Sequence, residues 1–292
     1  MDTGKAVSAM LRLNEPVREY LEGVGVKKPA GEKLPFIAIP TTSGTGSEAT
    51  NNAVISEVGK NGFKKSLRHY NYVPDIALVD PELVLSCSKR VTAASGMDAF
   101  TQLLEGYVSE KSSVMTDAWA REGLKSISRS LERAVNRGDD LNARNDMSFA
   151  ALASGIVLAN AGLGLVHGFA SSIGGVIEMP HGQVCGSLMA VVHERTIRAL
   201  QASDPKSRAL EKYVQAGMLF SGEKGRDKTD DYYLEQIIRK MYDMTESFGM
   251  KRFSHYGLTE NRAAEIAGKT DNKNNPVSFS EEERKNILLS RL

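Results

Sequence analysis

The chain is poor in cysteine and tryptophan, with two of the first, Cys87 and Cys185, and one of the second. The two cysteines form neither a C-x-x-C pair nor a zinc-knuckle spacing, so no disulfide framework is encoded. They suit a reducing cytoplasm, and one Cys87–Cys185 bridge is the most the chain could make. Excess charge is missing too: 37 Lys and Arg face 36 Asp and Glu, a formal net charge of +1. Such balance lacks the basic footprint of a nucleic-acid or membrane-surface binder. No apolar run reaches the roughly 18 residues of a bilayer span. The opening stretch MDTGKAVSAM carries no signal-peptide pattern. Internal repeats and low-complexity tracts are absent from the sequence. What is present is 292 residues, 41% apolar and 25% charged, enough for one large or two medium globular domains. The expectation is a cytoplasmic protein with no nucleic-acid and no membrane partner.

Residue patterning divides the chain. Residues 1–85 alternate between α and β character. Residues 2–13 read as a helix. LPFIAIPTT, residues 34–42, has the apolar profile of a buried parallel strand. NNAVISEV (51–58) and DIALVD (75–80) read as further strands. From Lys89 onward only helical spacing is found, over about 92–108, 113–136, 142–160, 182–202 and 232–248. SGEKGRDKTDD (221–231) is a polar loop. The predicted fold class is α/β followed by all-α, with a domain over residues 1–88 and a helical domain over 89–292.

Three stretches could carry chemistry. PTTSGTGSEAT (40–50) follows the first strand, where α/β sheets bind ligands. Gly44 and Gly46 permit close backbone approach, and Thr41, Thr42, Thr45 and Ser47 add hydroxyls. It is neither a Walker loop nor G-x-G-x-x-G, and a polar joining turn would look the same. In TAASGMDAFTQLLEGYVS (92–109), Asp98 and Gln102 are four apart and share a helix face, with Glu105 three further on. A carboxylate among Ala and Leu needs a partner, although an exposed polar stripe reads alike. GLGLVHGFASSIGGVIEMPHG (162–182) holds His167 and His181 around a break at Gly174, Gly175 and Pro180. On one straight helix these histidines would be about 21 Å apart. The break lets the chain fold back, with Pro180 opening a new helix and His181 in its first turn. His69, His193 and His255 have no ligand-like neighbours and read as structural or surface residues.

Taken in order, TTSGTGSEAT, DPELV, TAASGMDAFTQLLEGYVS, NAGLGLVHGFASSIGG and MPHG resemble the iron-containing (group III) alcohol dehydrogenases. The likeness runs nearly the whole chain, into NNPVSFSEEE at 274–283. It implies a dehydroquinate synthase-like architecture: an incomplete N-terminal Rossmann-like domain, then a C-terminal helical domain. It implies a divalent metal, Fe or Zn, on Asp98, Gln102, His167 and His181, and NAD or NADP held by Asp2, Thr41, Thr42, Gly44, Thr45, Val54 and Lys64. Asp2, Thr3 and Lys5 match the family's helix after its pyrophosphate turn. The implied reaction interconverts a small alcohol and an aldehyde or ketone in a homodimer.

The chain departs from the family at three places. Gln102 stands where the family has a histidine, so a bound ion is held weakly or not at all. Asp98, His167 and His181 remain a two-histidine, one-carboxylate set suited to Fe(II). Ser171 replaces a histidine that many members place near the substrate. The Gly-Gly-Gly-Ser turn of the family would precede residue 1, making Met1 an internal methionine and weakening dinucleotide binding by this chain. Two rival functions follow: a catalytically inactive homologue or partner subunit, and a metal-dependent lyase on the same architecture.

Overall fold

The structure is a computed structural model and describes residues 1–59, 62–223 and 225–292. Helix α1 (Asp2–Met10) buries Ala6 and Ala9 against Leu21, Ala53, Leu67 and Tyr72, a small core of its own. Lys5 lies in the same helix with its Nζ donating to Thr50 O, Thr50 Oγ1 and Asn52 O. Burial pulls its pKa down to about 8, against the opposing charges of Asp2 and Glu48.

Strands β1 (Ile37–Ala38) and β4 (Ile76–Ala77) pair in parallel, Ile37 opposite Ile76. Strands β2 (Asn52–Glu57) and β3 (Phe63–Arg68) form an antiparallel hairpin, Asn52 opposite Arg68. The structure differs from the sequence reading at three places here. The 34–42 run yields a two-residue strand, because Pro40 ends the ladder and the loop leaves the sheet. FKKSLR forms a strand that the sequence pattern does not announce, because its lysines mask the alternation, although Leu67 is fully buried in the small core. Likewise α1 stops at Met10, three residues short of the reading.

The helices that follow are α2 (Lys89–Val108), α3 (Val114–Asn136), α4 (Leu141–Ala161), α5 (Leu165–Ile173), α6 (His181–Ser203), α7 (Arg208–Ser221), α8 (Asp230–Ser247), α9 (Glu260–Lys269) and α10 (Glu281–Leu289). Among the described residues no strand occurs after Ala77. Local chemistry sets the starts. Ser88, Asp140, Ser207 and Thr229 each accept an early backbone N–H, and Ser113 with Thr116 and Ser280 with Glu283 form capping boxes. The helix α5 is hidden in sequence because only Gly162, Leu163 and Gly164 separate it from α4.

One apolar core joins α2, α3, α4, α7 and α8 through Phe100, Leu103, Leu124, Leu131, Tyr213 and Ile237. Another joins α5, α6, α9 and α10 through Phe169, Leu188, Ile266 and Leu288. Each such fully buried Leu or Phe contributes roughly 1.5–3 kcal/mol of transfer free energy. α6 contributes to both cores, and the candidate site lies where α2, α5 and α6 meet. No single described helix is long and apolar enough to cross a membrane.

Candidate metal centre

Asp98 sits mid-α2, and its carboxylate is almost fully buried at 1% exposure. Helix α5 opens two residues before His167, with Gly164 at its N-cap offering no side chain. Glu105 of α2 fills that role from outside. Its Oε1 accepts the Val166 N–H at 2.6 Å, and its Oε2 lies 2.6 Å from His167 Nδ1. A carboxylate on Nδ1–H fixes the tautomer and leaves the Nε2 lone pair free, the arrangement usual behind a metal-binding histidine. A Cβ on Gly164 would stand 2.9 Å from Glu105 Oε1 and press on that carboxylate.

His181 starts α6 with Pro180 at the N-cap. The following glycine explains the MPHG stretch. A Cβ on Gly182 would meet Ala94 O at 2.2 Å, so glycine lets α6 descend onto α2 one turn before Asp98. The result is convergence: His167 Nε2 lies 3.4 Å and His181 Nε2 3.6 Å from Asp98 Oδ1. Cys185, one turn along α6 from His181, points its Sγ at the same two nitrogens, 3.6 Å from His167 Nε2 and 3.8 Å from His181 Nε2. All four donor atoms lie within 4.8 Å of one another. Asp98 Oδ1 is buried with no hydrogen-bond partner, a costly state that a cation would relieve. The donor set and the orphaned oxygen therefore fit a divalent ion.

The four groups shift in different directions: Asp98 and His181 toward the forms that bind a cation, His167 and Cys185 toward their protonated forms. Burial disfavours the Asp98 carboxylate, but the His181 and His167 charges outweigh it and hold the group below the usual carboxylate range. Burial also disfavours an imidazolium at His167; a Cys185 thiolate, Asp98 and Glu105 favour it, and the net direction is upward. Burial pushes His181 down to about 3, despite Asp98, with Lys64 adding to the fall. Burial pushes the Cys185 thiol up to about 11. Cation binding to such donors would release their protons to solvent.

The other expected residues fall around this cluster. Gln102 is buried, and its Oε1 lies 3.2 Å from Ser154 Oγ. The same Ser154 hydroxyl has Gly44 O at 3.3 Å and, closest, the backbone Ala151 O at 2.7 Å as the acceptor of its one proton. Lys64 of β3 places Nζ 3.0 Å from His181 Nδ1. Asp2 braces the front of the site, accepting from Ser47 Oγ at 2.5 Å and from the Val54 N–H at 3.1 Å. Thr41, Thr42 and Thr45 are exposed, whereas Gly44 is buried. The 41–47 loop rests on α4 through glycine: a Cβ on Gly155 would stand 2.0 Å from Gly46 O, and Gly46 itself has φ +60°. A crevice beside the loop is lined by Thr42, Ser43, Glu48, Ser148 and Ala151. A groove of about 760 Å³ lies elsewhere, among Arg195, Arg198, Tyr242, Arg252 and Arg291, and does not include the cluster.

Cys185 was not named as a site residue from the sequence. The signal was its spacing of four from His181 on one helix. Cys87 and Cys185 are both free thiols, so the single bridge the sequence allowed does not form. Of the remaining histidines, His193 is buried with Nδ1 2.7 Å from Tyr213 Oη, His69 Nδ1 accepts from the Asn71 N–H, and His255 is exposed.

An α/β portion followed by helices, with an Asp-His-His cluster between α2, α5 and α6, is a metal-dependent dehydrogenase type of architecture. Two family models match the chain: iron-containing alcohol dehydrogenase over residues 1–81, and the C-terminal part of the Fe-containing alcohol dehydrogenase family over residues 92–292. The chain belongs to the iron-containing alcohol dehydrogenase family. It is 37% identical over 187 residues to the NAD-dependent methanol dehydrogenase of Bacillus methanolicus, covering 64% of this chain and 48% of that one. It is 43% identical over 156 residues to the 1-propanol dehydrogenase PduQ of Salmonella typhimurium, covering 53% of this chain and 42% of that one. The chain thus spans about half the length of the curated relatives it matches. Among solved structures, a 1,3-propanediol oxidoreductase superposes with TM-score 0.85 at 28% identity, over 100% of this chain and 74% of that one. The alcohol dehydrogenase from Oenococcus oeni gives TM-score 0.84 at 29% identity, with the same coverage.

Proposed function

We propose that this chain carries the metal centre and part of the cofactor site of an NAD- or NADP-dependent dehydrogenase that interconverts a small alcohol and an aldehyde or ketone. One observation carries the reading: Asp98, His167 and His181 converge from three helices around a buried, unpartnered carboxylate oxygen. A divalent cation held by these residues would act as a Lewis acid on the substrate oxygen. Asp98 would supply the negative charge and the two imidazoles the neutral donors. Glu105 keeps His167 in the tautomer that binds. Gln102, the expected fourth ligand, would offer a neutral amide oxygen in place of an imidazole.

The 41–47 loop would hold the middle of the dinucleotide, with Gly44 giving backbone access and Thr41, Thr42 and Thr45 giving hydroxyls. Asp2 and Val54 would hold the loop and β2 in register, and Lys64 would face the reacting end from beside His181. Bound nicotinamide would supply the hydride acceptor, so that the carbinol C–H bond could break with its electron pair leaving the substrate. The hydroxyl proton leaves to solvent, and the C–O bond becomes a carbonyl. The same reading assigns residues 1–88 to the cofactor and 89–292 to metal and substrate, and places the protein in the cytoplasm as a homodimer.

The test is direct. The purified chain, loaded with Zn(II) or Fe(II), is given short primary alcohols with NAD+ and with NADP+, and reduced nicotinamide is followed. Turnover that falls at least about 100-fold in Asp98→Asn, the loss typical of a removed catalytic element, supports the reading. No turnover under any combination contradicts it and leaves an inactive homologue.

A further inference from the structure

We propose that Cys185 is the fourth ligand of this centre, bound as a thiolate in place of the family histidine that Gln102 replaces, and that the centre therefore selects zinc over iron. The inference rests on the metal-centre reading above. It adds a residue and a metal preference which that reading lacks.

Geometry supplies the first argument. A tetrahedral zinc with N and O donors at about 2.0–2.1 Å and sulfur at about 2.3 Å needs N···O edges of about 3.4 Å and N···S edges of about 3.6 Å. The structure has N···O separations of 3.4 and 3.6 Å and N···S separations of 3.6 and 3.8 Å. Four of the six donor–donor separations thus match the edges of a zinc-sized tetrahedron, and all six are under 4.8 Å. A cysteine serving only as a small apolar filler would face carbon. The buried Cys185 instead aims its sulfur between two imidazole nitrogens.

The second argument is the orphaned atom. Asp98 Oδ1 is buried and accepts no hydrogen bond, although both imidazoles and the thiol surround it. A cation at the middle of the four groups satisfies it. Gln102 is a poorer candidate to complete such a shell, because its amide oxygen is a neutral, hard donor. One turn of helix separates His181 from Cys185, so the same helix that brings one ligand brings the other.

Charge and softness give the preference. The Asp98 carboxylate and a thiolate together cancel a 2+ ion, and the thiol proton passes to solvent as the ion enters. Thiolate favours zinc over the harder Fe(II) or Mg(II), and a shell of one sulfur, two nitrogens and one oxygen suits tetrahedral zinc.

Cobalt(II) reports thiolate ligation without any need for turnover. The full chain, freed of metal, is titrated with Co(II) and its absorption followed. A near-ultraviolet thiolate-to-cobalt charge-transfer band that saturates at one ion per chain is expected. Cys185→Ser should lose that band and keep the visible cobalt bands. In Cys185→Ser combined with Gln102→His, cobalt should bind with nitrogen in the fourth place and still show no charge-transfer band. In competition, Zn(II) should displace Fe(II) from the unaltered chain, and that bias should shrink in Cys185→Ser. Visible cobalt bands without charge transfer in the unaltered chain would overturn the role of Cys185 and leave the metal centre standing. Cobalt binding that His181→Ala does not alter would overturn both.

Discussion

His193 shows what a buried histidine outside the cluster does. It is fully enclosed in α6, its Nδ1 meets Tyr213 Oη, and its Nε2 has no partner. Burial pushes its pKa down to about 4, partly offset by Glu105. The folded value lies below the unfolded value of about 6.5, so the unfolded chain binds more protons between these limits. Stability from this residue is therefore complete above about pH 6.5 and is lost as the pH falls toward 4. The loss amounts to at most about 3 kcal/mol at one pKa unit per 1.36 kcal/mol. Urea midpoints measured across that window should fall less steeply in His193→Asn than in the unaltered chain; equal slopes would remove His193 as the cause. From sequence His193 and the two site histidines differ only in their neighbours. Their opposite fates depend on where α5 and α6 bring them, which no local pattern encodes.

Elements decide the site more than propensities do. Glycine at 182 allows α6 to approach α2 at Ala94, and glycine at 155 allows α4 to receive the 41–47 loop. Gly182→Ala puts a Cβ 2.2 Å from a backbone oxygen, which nothing flexible can relieve. The variant should lose about 1–3 kcal/mol of stability by overpacking, and it should bind less metal because His181 is lifted from Asp98. Unchanged thermal midpoint and metal content would show that α6 sits otherwise. The long helices α2, α3, α4, α6 and α8 were legible to within three residues, because apolar periodicity and caps agree there. The short α5, α7, α9 and α10 and the strand β3 were not read. Each is short, and α5 and β3 owe their form to packing against each other and their neighbours more than to their own pattern. Glu105 was noted only by its spacing; its double duty, capping α5 while orienting His167, follows from a chain reversal at Gly162 with φ +67° that sequence does not specify.

At the scale of the molecule, two cores and a small α/β portion meet around one cluster of titratable groups. Ordered motifs made the family legible, and the family model over residues 92–292 contains all of the cluster. The replacement of a histidine by Gln102 was legible too, but its counterpart at Cys185 was not, because only the folded chain puts α6 over α2. The central claim is that Asp98, His167 and His181 form one metal centre. Metal content settles it most directly: the chain is loaded with zinc, passed through a desalting column and analysed for bound metal per chain. The account predicts one ion per chain in the unaltered protein and in His255→Ala, and well below half an ion in His181→Ala and Asp98→Asn. Equal metal in all four proteins would contradict it.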